Sequence, residues 1–293
     1  MANKLGRIPL RDRTNELKKI YGQAEKEIAR ELSSFDVGDY QDMKAIKTQE
    51  KVNSIVRKLN RMAVKWAKVS VPEAYRKGYD VSRTRLEILG KEKDREFNVN
   101  KHRNSIDEYT DVTMNDLIKA NLSIKQNVAT FLYLARQANF GLQQIQEFDL
   151  RNEEIIAGLL DEAIEEGASR GELEQLIRVH FKRELYEKKF ININGRNYDM
   201  IKYSKMVART RLRHVQSEAV KNSCEQFDND LVEISAHGTT CLICIPYEGN
   251  VYSISGKSSI YPYLDDWPAF HPNCEHSASP TSEIALEARE RWG

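Results

Sequence analysis

The chain has 293 residues and a formal net charge of +1, and 30% of its residues are charged against 40% that are hydrophobic. This composition is typical of a soluble, helix-rich protein of one or two domains, and it excludes a disordered chain. No apolar run is as long as a membrane span, and the N-terminus lacks the apolar segment of a signal peptide. The four cysteines do not resemble a secreted disulfide framework. We therefore expect synthesis in a reducing cytoplasm without membrane contact.

The first part of the chain is predicted to consist of helices. Apolar residues recur at three- and four-residue steps from residue 12 to about residue 32, which predicts an amphipathic helix. A second helix is expected over about residues 42–70, and Pro72 is expected to break it and start another helix that Gly90 ends. The polar, mixed-charge residues 91–106 are interpreted as a mobile loop.

Further helices are predicted over about residues 113–139, 153–166 and 170–186, the last two forming a helical hairpin. The second predicted helix of the chain also carries a basic face. Its cations are Lys51, Arg57, Lys58, Arg61, Lys65 and Lys68. This face is either solvated or a binding surface for phosphates or an acidic protein, and the sequence leaves both interpretations open.

The composition changes near residue 188. Residues 190–198 predict a β-hairpin with Asn194-Gly195 as its turn, followed by one long helix over about residues 199–227. Residues 231–235 and 251–255 are expected to pair as strands. Three arginines in the long helix, Arg209, Arg211 and Arg213, are spread over about 200° of its circumference. We expect Arg209 to be tied to the fold and the other two to be exposed.

The segment from His237 to His276 holds three of the four cysteines and three of the six histidines. It contains a C-x-x-C pair and an H-x-x-C pair, and Pro-Asn inside the second pair fits a tight turn. Such donors bind Zn²⁺ tetrahedrally. The candidate ligands are Cys241, Cys244, Cys274 and either His271 or His276. His237 is expected to form a hydrogen bond or pack rather than bind metal, although it could replace Cys241.

A redox C-x-x-C motif and ordinary buried thiols are the alternatives to a metal site. Five of the seven prolines lie between Pro246 and Pro280, which indicates a loop-rich region with a small core. Such a region needs a bound metal ion or another cross-link (a staple) to be stable. We therefore predict a mostly α protein in two parts. Residues 1–188 form a helical region, and residues 189–293 form a small zinc-stapled α+β domain.

Common enzyme signatures are absent from the sequence. There is no phosphate-binding loop, no G-x-G-x-x-G, no G-x-S-x-G and no H-E-x-x-H. A zinc-containing nuclease of the ββα-metal type is one alternative, with His237 as its base, but no matching Asn or His follows on a convincing helix. No catalytic residue and no enzymatic activity is predicted.

The C-terminal third resembles the phage minor head (minor capsid) proteins, the Mu F-like head morphogenesis family. The resemblance rests on the order and spacing of Arg209-Thr210, Cys241-x-x-Cys244, the turn Pro246-Tyr-Glu-Gly249-x-Val-Tyr, and His271-Pro-Asn-Cys274-x-His276. Members of the family often have Cys where this chain has His276, which favours His276 over His271 as a ligand. A related group of minor capsid proteins shows a His, Gly, Cys-x-His pattern that His237, Gly249, Cys274 and His276 partly satisfy.

The resemblance implies a structural virion protein located in the head near the portal, which assists head assembly, DNA packaging or DNA delivery. Its expected partners are the portal protein, the major capsid protein, or both, with possible contact to packaged DNA. We expect the helical region to dock on the portal, because the metal domain would have few large apolar residues left once its own core is filled. Besides the nuclease, a non-catalytic nucleic-acid-binding module is the second alternative to this structural function.

Overall fold

A computed structural model describes residues 11–33, 41–91, 99–140 and 190–292. Its helices are α1 (Arg11–Ser33), α2 (Gln41–Ile88), α3 (Val99–Phe140), α4 (Met200–Gln226) and α5 (Glu283–Trp292). Its strands are β1 (Ile191–Ile193), β2 (Arg196–Tyr198), β3 (Leu231–Ile234), β4 (Val251–Ser253) and β5 (Ala278–Thr281). The mostly helical class with small C-terminal sheets is confirmed. No helix in the described ranges is long and apolar enough to cross a membrane.

Helix α1 confirms the first predicted helix, but the predicted break at Pro72 is wrong. Helix α2 is continuous through this proline. A proline inside a helix removes one backbone hydrogen bond and costs about 3 kcal/mol. Val71 and Tyr75 on either side of Pro72 are completely buried. We attribute the continuity to this burial, because tertiary packing supplies most of the stability of a helix in a protein.

The predicted loop over residues 91–106 is also wrong in its second half, because α3 already begins at Val99. His102 in the first turns of α3 is only 3% exposed. Its Nδ1 lies 2.8 Å from the Tyr75 hydroxyl of α2, and its Nε2 lies 3.1 Å from Oε1 of Gln226 in α4. These contacts stabilise a helical start that the polar local sequence does not predict.

The predicted hairpin is confirmed. Strands β1 and β2 pair antiparallel around Asn194-Gly195, whose φ angles of 53° and 76° suit a type I′ turn. Side chains of α3 anchor the hairpin. Asn127 donates to the carbonyl oxygen of Phe190 at 3.0 Å, and the Ser123 hydroxyl accepts from the Asn192 amide at 3.1 Å.

The second sheet has the order β4-β3-β5, and both pairings are antiparallel. The predicted pairing of the strands that became β3 and β4 is confirmed. Strand β5, which contains Pro280, was not predicted. A proline is tolerated in an edge strand, and here it lies opposite Val232 of the central strand. Helix α5 follows β5 and was not predicted either.

The chain divides into two compact units. Unit 1 comprises Met1–Leu17, Val64–Asn115 and Lys205–Gly293, and unit 2 comprises Lys18–Ala63 and Asp116–Ser204. Both units are built from segments that are separated in the sequence. The predicted domain boundary at residue 188 lies outside the described residues and stays a prediction. So do the helices predicted over residues 153–166 and 170–186.

In unit 1, the carboxylate of Asp230, just before β3, links this strand to the end of β4. The carboxylate accepts hydrogen bonds from the Ser253 hydroxyl at 2.7 Å and the Ser255 amide at 2.8 Å. Burial by itself would raise the pKa of Asp230, but the hydrogen bonds outweigh it and lower the pKa below its ordinary value. The ionised carboxylate is therefore favoured in the folded protein.

We expect Asp230→Asn to lower the free energy of unfolding by about 1 kcal/mol at pH 7. Because the folded-state pKa is depressed, this contribution is present above the unfolded pKa of about 3.9 and is lost as the pH falls through the folded value. Denaturant titrations of both proteins at pH 7 and pH 3 measure the difference. An equal difference at both values would contradict the role of the charge.

Candidate metal centre

The first pair of candidate ligands lies after β3, where Cys241 directly precedes a stretch of successive turns over residues 242–249 that contains Cys244. The amides of Cys244 and Ile245 both donate to the carbonyl oxygen of Cys241 at 3.0 Å. The Cys241 thiol also receives backbone N–H groups, first that of Cys244 and then that of Ile243, and these lower its pKa. This turn brings Cys241 and Cys244 together and favours the thiolate that a metal needs.

The second pair lies in the turn His271-Pro-Asn-Cys274, as predicted. The Cys274 amide donates to the His271 carbonyl oxygen at 3.0 Å, and Asn273 has the positive φ of 65° that suits this position of a type II turn. Two side chains of helix α4 hold this segment in place through hydrogen-bond contacts with its backbone. The Thr210 hydroxyl accepts from the Asn273 amide at 3.2 Å, and Nε2 of His214 lies 2.7 Å from the carbonyl oxygen of Ala269.

The five predicted ligands fall into two overlapping groups. Cys241, Cys244 and His271 form one group whose ligand atoms lie within 4.8 Å of one another, and Cys244, Cys274 and His276 form a second. Cys244 belongs to both groups. Its sulfur lies 3.1 Å from His271 Nε2 and 3.8 Å from the Cys274 sulfur. The Cys274 sulfur lies 3.5 Å from His276 Nδ1.

The separations of Cys274 from Cys244 and from His276 match those around a tetrahedral zinc ion, and the separation of Cys244 from His271 is shorter. Zinc–sulfur bonds of about 2.3 Å and zinc–nitrogen bonds of about 2.0 Å place neighbouring ligand atoms roughly 3.5–3.8 Å apart around the tetrahedron. Burial and the neighbouring Cys274 raise the pKa of Cys244, so its thiolate needs a metal to be stable. Burial also lowers the pKa of His276, which keeps its imidazole neutral as a ligand must be. The residues present therefore fit a structural metal ion.

Glu248 was missed by the sequence analysis although it lies in the quoted Pro-Tyr-Glu-Gly turn. Its carboxylate accepts hydrogen bonds from the backbone amides of His237 and Thr239, the latter at 3.0 Å. His237 itself is not among the grouped ligands. Its Nε2 lies 2.9 Å from the Ser235 hydroxyl, and its ring packs edge-on against His276 with centroids 4.9 Å apart. The prediction that His237 forms a hydrogen bond or packs is confirmed.

The expected roles of the α4 arginines are wrong. Arg213, which was expected to be exposed, is only 7% exposed and donates to Oε1 of Gln216 at 3.2 Å. Arg209, which was expected to be tied to the fold, is exposed, and Arg211 is half-buried. The helical spacing correctly separated the three side chains, but it did not show which direction faces the remainder of unit 1.

We expect Arg213→Ala to lower the free energy of unfolding by about 1–2 kcal/mol, because it removes a buried side chain and its hydrogen bond to Gln216. Arg209→Ala removes the same side chain from an exposed position of the same helix and is expected to stay within about 0.5 kcal/mol of the wild type. Urea denaturation of the two variants makes the comparison. A larger loss for Arg209→Ala would contradict the assignment.

The expectation that this region keeps few large apolar residues on its surface is also wrong. Leu242 is 86% exposed, Ile243 54% and Ile245 48%, and all three lie in or beside the first cysteine pair. Tyr247, in contrast, stacks on Phe270 at 4.3 Å between ring centroids and packs against the core of the sheet. We define Leu242, Ile243 and Ile245 as the apolar tip.

Comparison with known families agrees with the motif-based resemblance and extends it. The family model described as phage minor capsid protein 2 matches residues 15–283. The chain belongs to this family of phage minor capsid proteins. No curated protein and no solved structure matches it. The match spans the long helices as well as the metal centre, whereas the quoted motifs cover about the last third.

Membership in the minor capsid protein family makes the chain a structural protein of the phage virion that interacts with other virion components. A structural family also indicates a non-enzymatic role. The Cys/His group of this minor capsid protein could bind a metal ion.

Proposed function

We propose that this minor capsid protein is a head component that docks at the portal or on the inner capsid wall and assists head assembly, DNA packaging or DNA delivery. The observation that carries the proposal is the family match across residues 15–283. The long helices α2 and α3 support it, because a specific, stable interface needs about 20–30 residues on each side.

We also propose that the centre binds one structural Zn²⁺ through Cys241, Cys244, Cys274 and one histidine. The ion would supply folding energy to a region whose buried apolar core is small. Cys244 and Cys274 lie in a buried cluster with Ala269, and Phe270 packs against it. The sulfur atoms of these two cysteines are therefore shielded from solvent, whereas Cys241 is partly exposed.

The basic face of α2 is the proposed docking surface. No Asp or Glu occurs between Lys51 and Pro72. Part of the charge is already paired with α1, because Lys51 lies 2.7 Å from Glu31 and Lys58 lies 3.5 Å from Glu27. Arg57 and Arg61 are exposed and lie one helical turn apart on α2. We infer that these two arginines meet an acidic surface of the portal.

Co-purification of the full-length protein with the portal at moderate salt tests this docking. The double variant Arg57→Glu, Arg61→Glu is expected to lose capture, because it places like charges against an acidic surface. Lys18→Glu, Lys19→Glu makes the same change of charge at exposed positions of α1 and is the matched control. Full-length variants are preferable to fragments, because a cut at residue 188 would divide unit 2.

Two outcomes would change the proposal. Unaffected capture in the arginine variant, with loss in Leu242→Ser, Ile243→Ser, would move the interface to the apolar tip. Absence of the chain from purified virions, measured by mass spectrometry, would overturn the structural function itself.

A further inference from the structure

The zinc site has five candidate ligands for a four-coordinate ion, so one histidine remains outside the coordination shell if all three cysteines bind, as proposed above. His271 and His276 differ in their surroundings. His271 is half-exposed. Its Nε2 lies 3.1 Å from the Cys244 sulfur and 3.4 Å from the Cys241 sulfur, and its Nδ1 lies 2.9 Å from the carbonyl oxygen of the next residue, Pro272. His276 is only 3% exposed and belongs to the group in which all three side chains are buried.

The second nitrogen of His276 faces a carboxylate. Its Nε2 lies 3.4 Å from Oε1 of Glu248, which is longer than a good hydrogen bond. No hydrogen bond satisfies this buried nitrogen. The arrangement thus leaves Nδ1 directed at the Cys274 sulfur and Nε2 directed at Glu248.

Glu248 is itself held firmly by the turn that carries the first cysteine pair. Its amide donates to the carbonyl oxygen of Cys244 at 3.1 Å, and its carboxylate receives the backbone amides of His237 and Thr239. A metal-bound histidine almost always donates its other N–H to a carboxylate or a carbonyl, which fixes the tautomer and the ring orientation. A carboxylate fixed in this way matches that partner.

The backbone also fixes His276 relative to this turn. It precedes β5, and the next residue, Ser277, exchanges hydrogen bonds with Ser235 at the end of β3. The edge-on packing of the His237 ring restricts rotation of the His276 imidazole. His276 is therefore oriented from three sides, whereas the polar partner of His271 Nδ1 comes from its own turn.

We propose that His276, binding through Nδ1, is the fourth zinc ligand and that Glu248 is its positioning residue, with His271 outside the coordination shell. This inference rests on the proposed zinc site. It adds which histidine binds, through which nitrogen, and which carboxylate orients it. Glu248 does not touch the ion in this arrangement.

Titration of the full-length, metal-free protein with Co²⁺, followed by competition with Zn²⁺, tests the inference. His276→Ala is expected to weaken zinc binding strongly and to change the visible Co²⁺ spectrum, because a water replaces a nitrogen ligand. His271→Ala is expected to leave both affinity and spectrum unchanged. Strong loss in His271→Ala, alone or together with His276→Ala, would overturn the assignment.

Glu248→Gln keeps an oxygen that can accept the backbone amides but removes the charge. It is expected to weaken zinc binding by about 10- to 100-fold while the Co²⁺ spectrum keeps the shape of the wild type. Glu287→Gln, at an exposed position of α5, is the matched control.

The outcomes distinguish the two proposals. Unchanged affinity in Glu248→Gln would overturn the positioning role while the zinc site itself stands. A wild-type protein that binds neither Co²⁺ nor Zn²⁺ under reducing conditions would instead overturn the zinc site.

Discussion

Replacing Cys244 with serine is expected to abolish zinc binding and to unfold the region around the centre, residues 230–280. Cys244 is the one ligand candidate common to both groups. Its loss therefore leaves each group with only two ligands. Structural zinc sites contribute about 10–16 kcal/mol of binding energy in small zinc-binding peptides, and this energy is also folding energy. We expect a loss of several kcal/mol, visible as an early unfolding transition that chelation of the wild type reproduces.

Cys224→Ser is the matched control for this prediction. Cys224 is also a completely buried cysteine, but it packs in the core of the sheet with Val220 and Val232 and is not among the grouped ligands. Elemental analysis should find about one zinc per chain in wild type and Cys224→Ser, and none in Cys244→Ser. A full complement of zinc in Cys244→Ser would contradict the proposed ligand set.

Gly78→Ala is expected to destabilise unit 1 by about 2 kcal/mol or more. A Cβ atom at this position would lie 2.9 Å from the carbonyl oxygen of Gln216 and 3.0 Å from the Cβ of Ala219. The first of these is backbone of α4, which cannot move away without shifting the helix. One turn later the hydroxyls of Ser82 and Ser223 are in direct contact, so small residues continue along this crossing of α2 and α4.

Gly22→Ala serves as the comparison, because Gly22 is also inside a helix but meets only a flexible side chain. A Cβ there would lie 3.3 Å from Cδ1 of Ile201. Alanine is more favourable than glycine in a helix by about 1 kcal/mol, so Gly22→Ala is expected to be neutral or stabilising. Thermal unfolding should show a lower midpoint for Gly78→Ala and an unchanged or higher midpoint for Gly22→Ala. A neutral Gly78→Ala would mean that α2 and α4 separate at little cost.

Local features of the fold were predictable from the sequence. The Asn-Gly turn, the periodicity of α1 and the two ligand pairs each depend on residues only a few positions apart, and the structure places all of them as predicted. The candidate ligands were recognisable for this reason, because each pair closes its own turn.

Features that depend on distant partners were not predictable. The continuity of α2 at Pro72 and the early start of α3 depend on burial and on contacts such as that of His102 with Tyr75. The burial of Arg213 depends on which face of α4 the remainder of unit 1 covers. Glu248 meets His276 only because β3, the first cysteine turn and β5 come together, and its position in the sequence gives no sign of this.

The division of unit 1 into three separate segments has a consequence for biogenesis. Its last segment, Lys205–Gly293, leaves the ribosome long after Val64–Asn115. The apolar faces of the earlier segment cannot be buried against the last segment until that segment has been synthesised. Contacts between distant segments slow folding, because loop-closure entropy is lost before the contacts form. We therefore expect the nascent chain to hold exposed apolar surface through most of its translation and to depend on chaperones. Nascent chains stalled before residue 205 should be protease-sensitive and aggregation-prone, while full-length chains released from the ribosome become resistant.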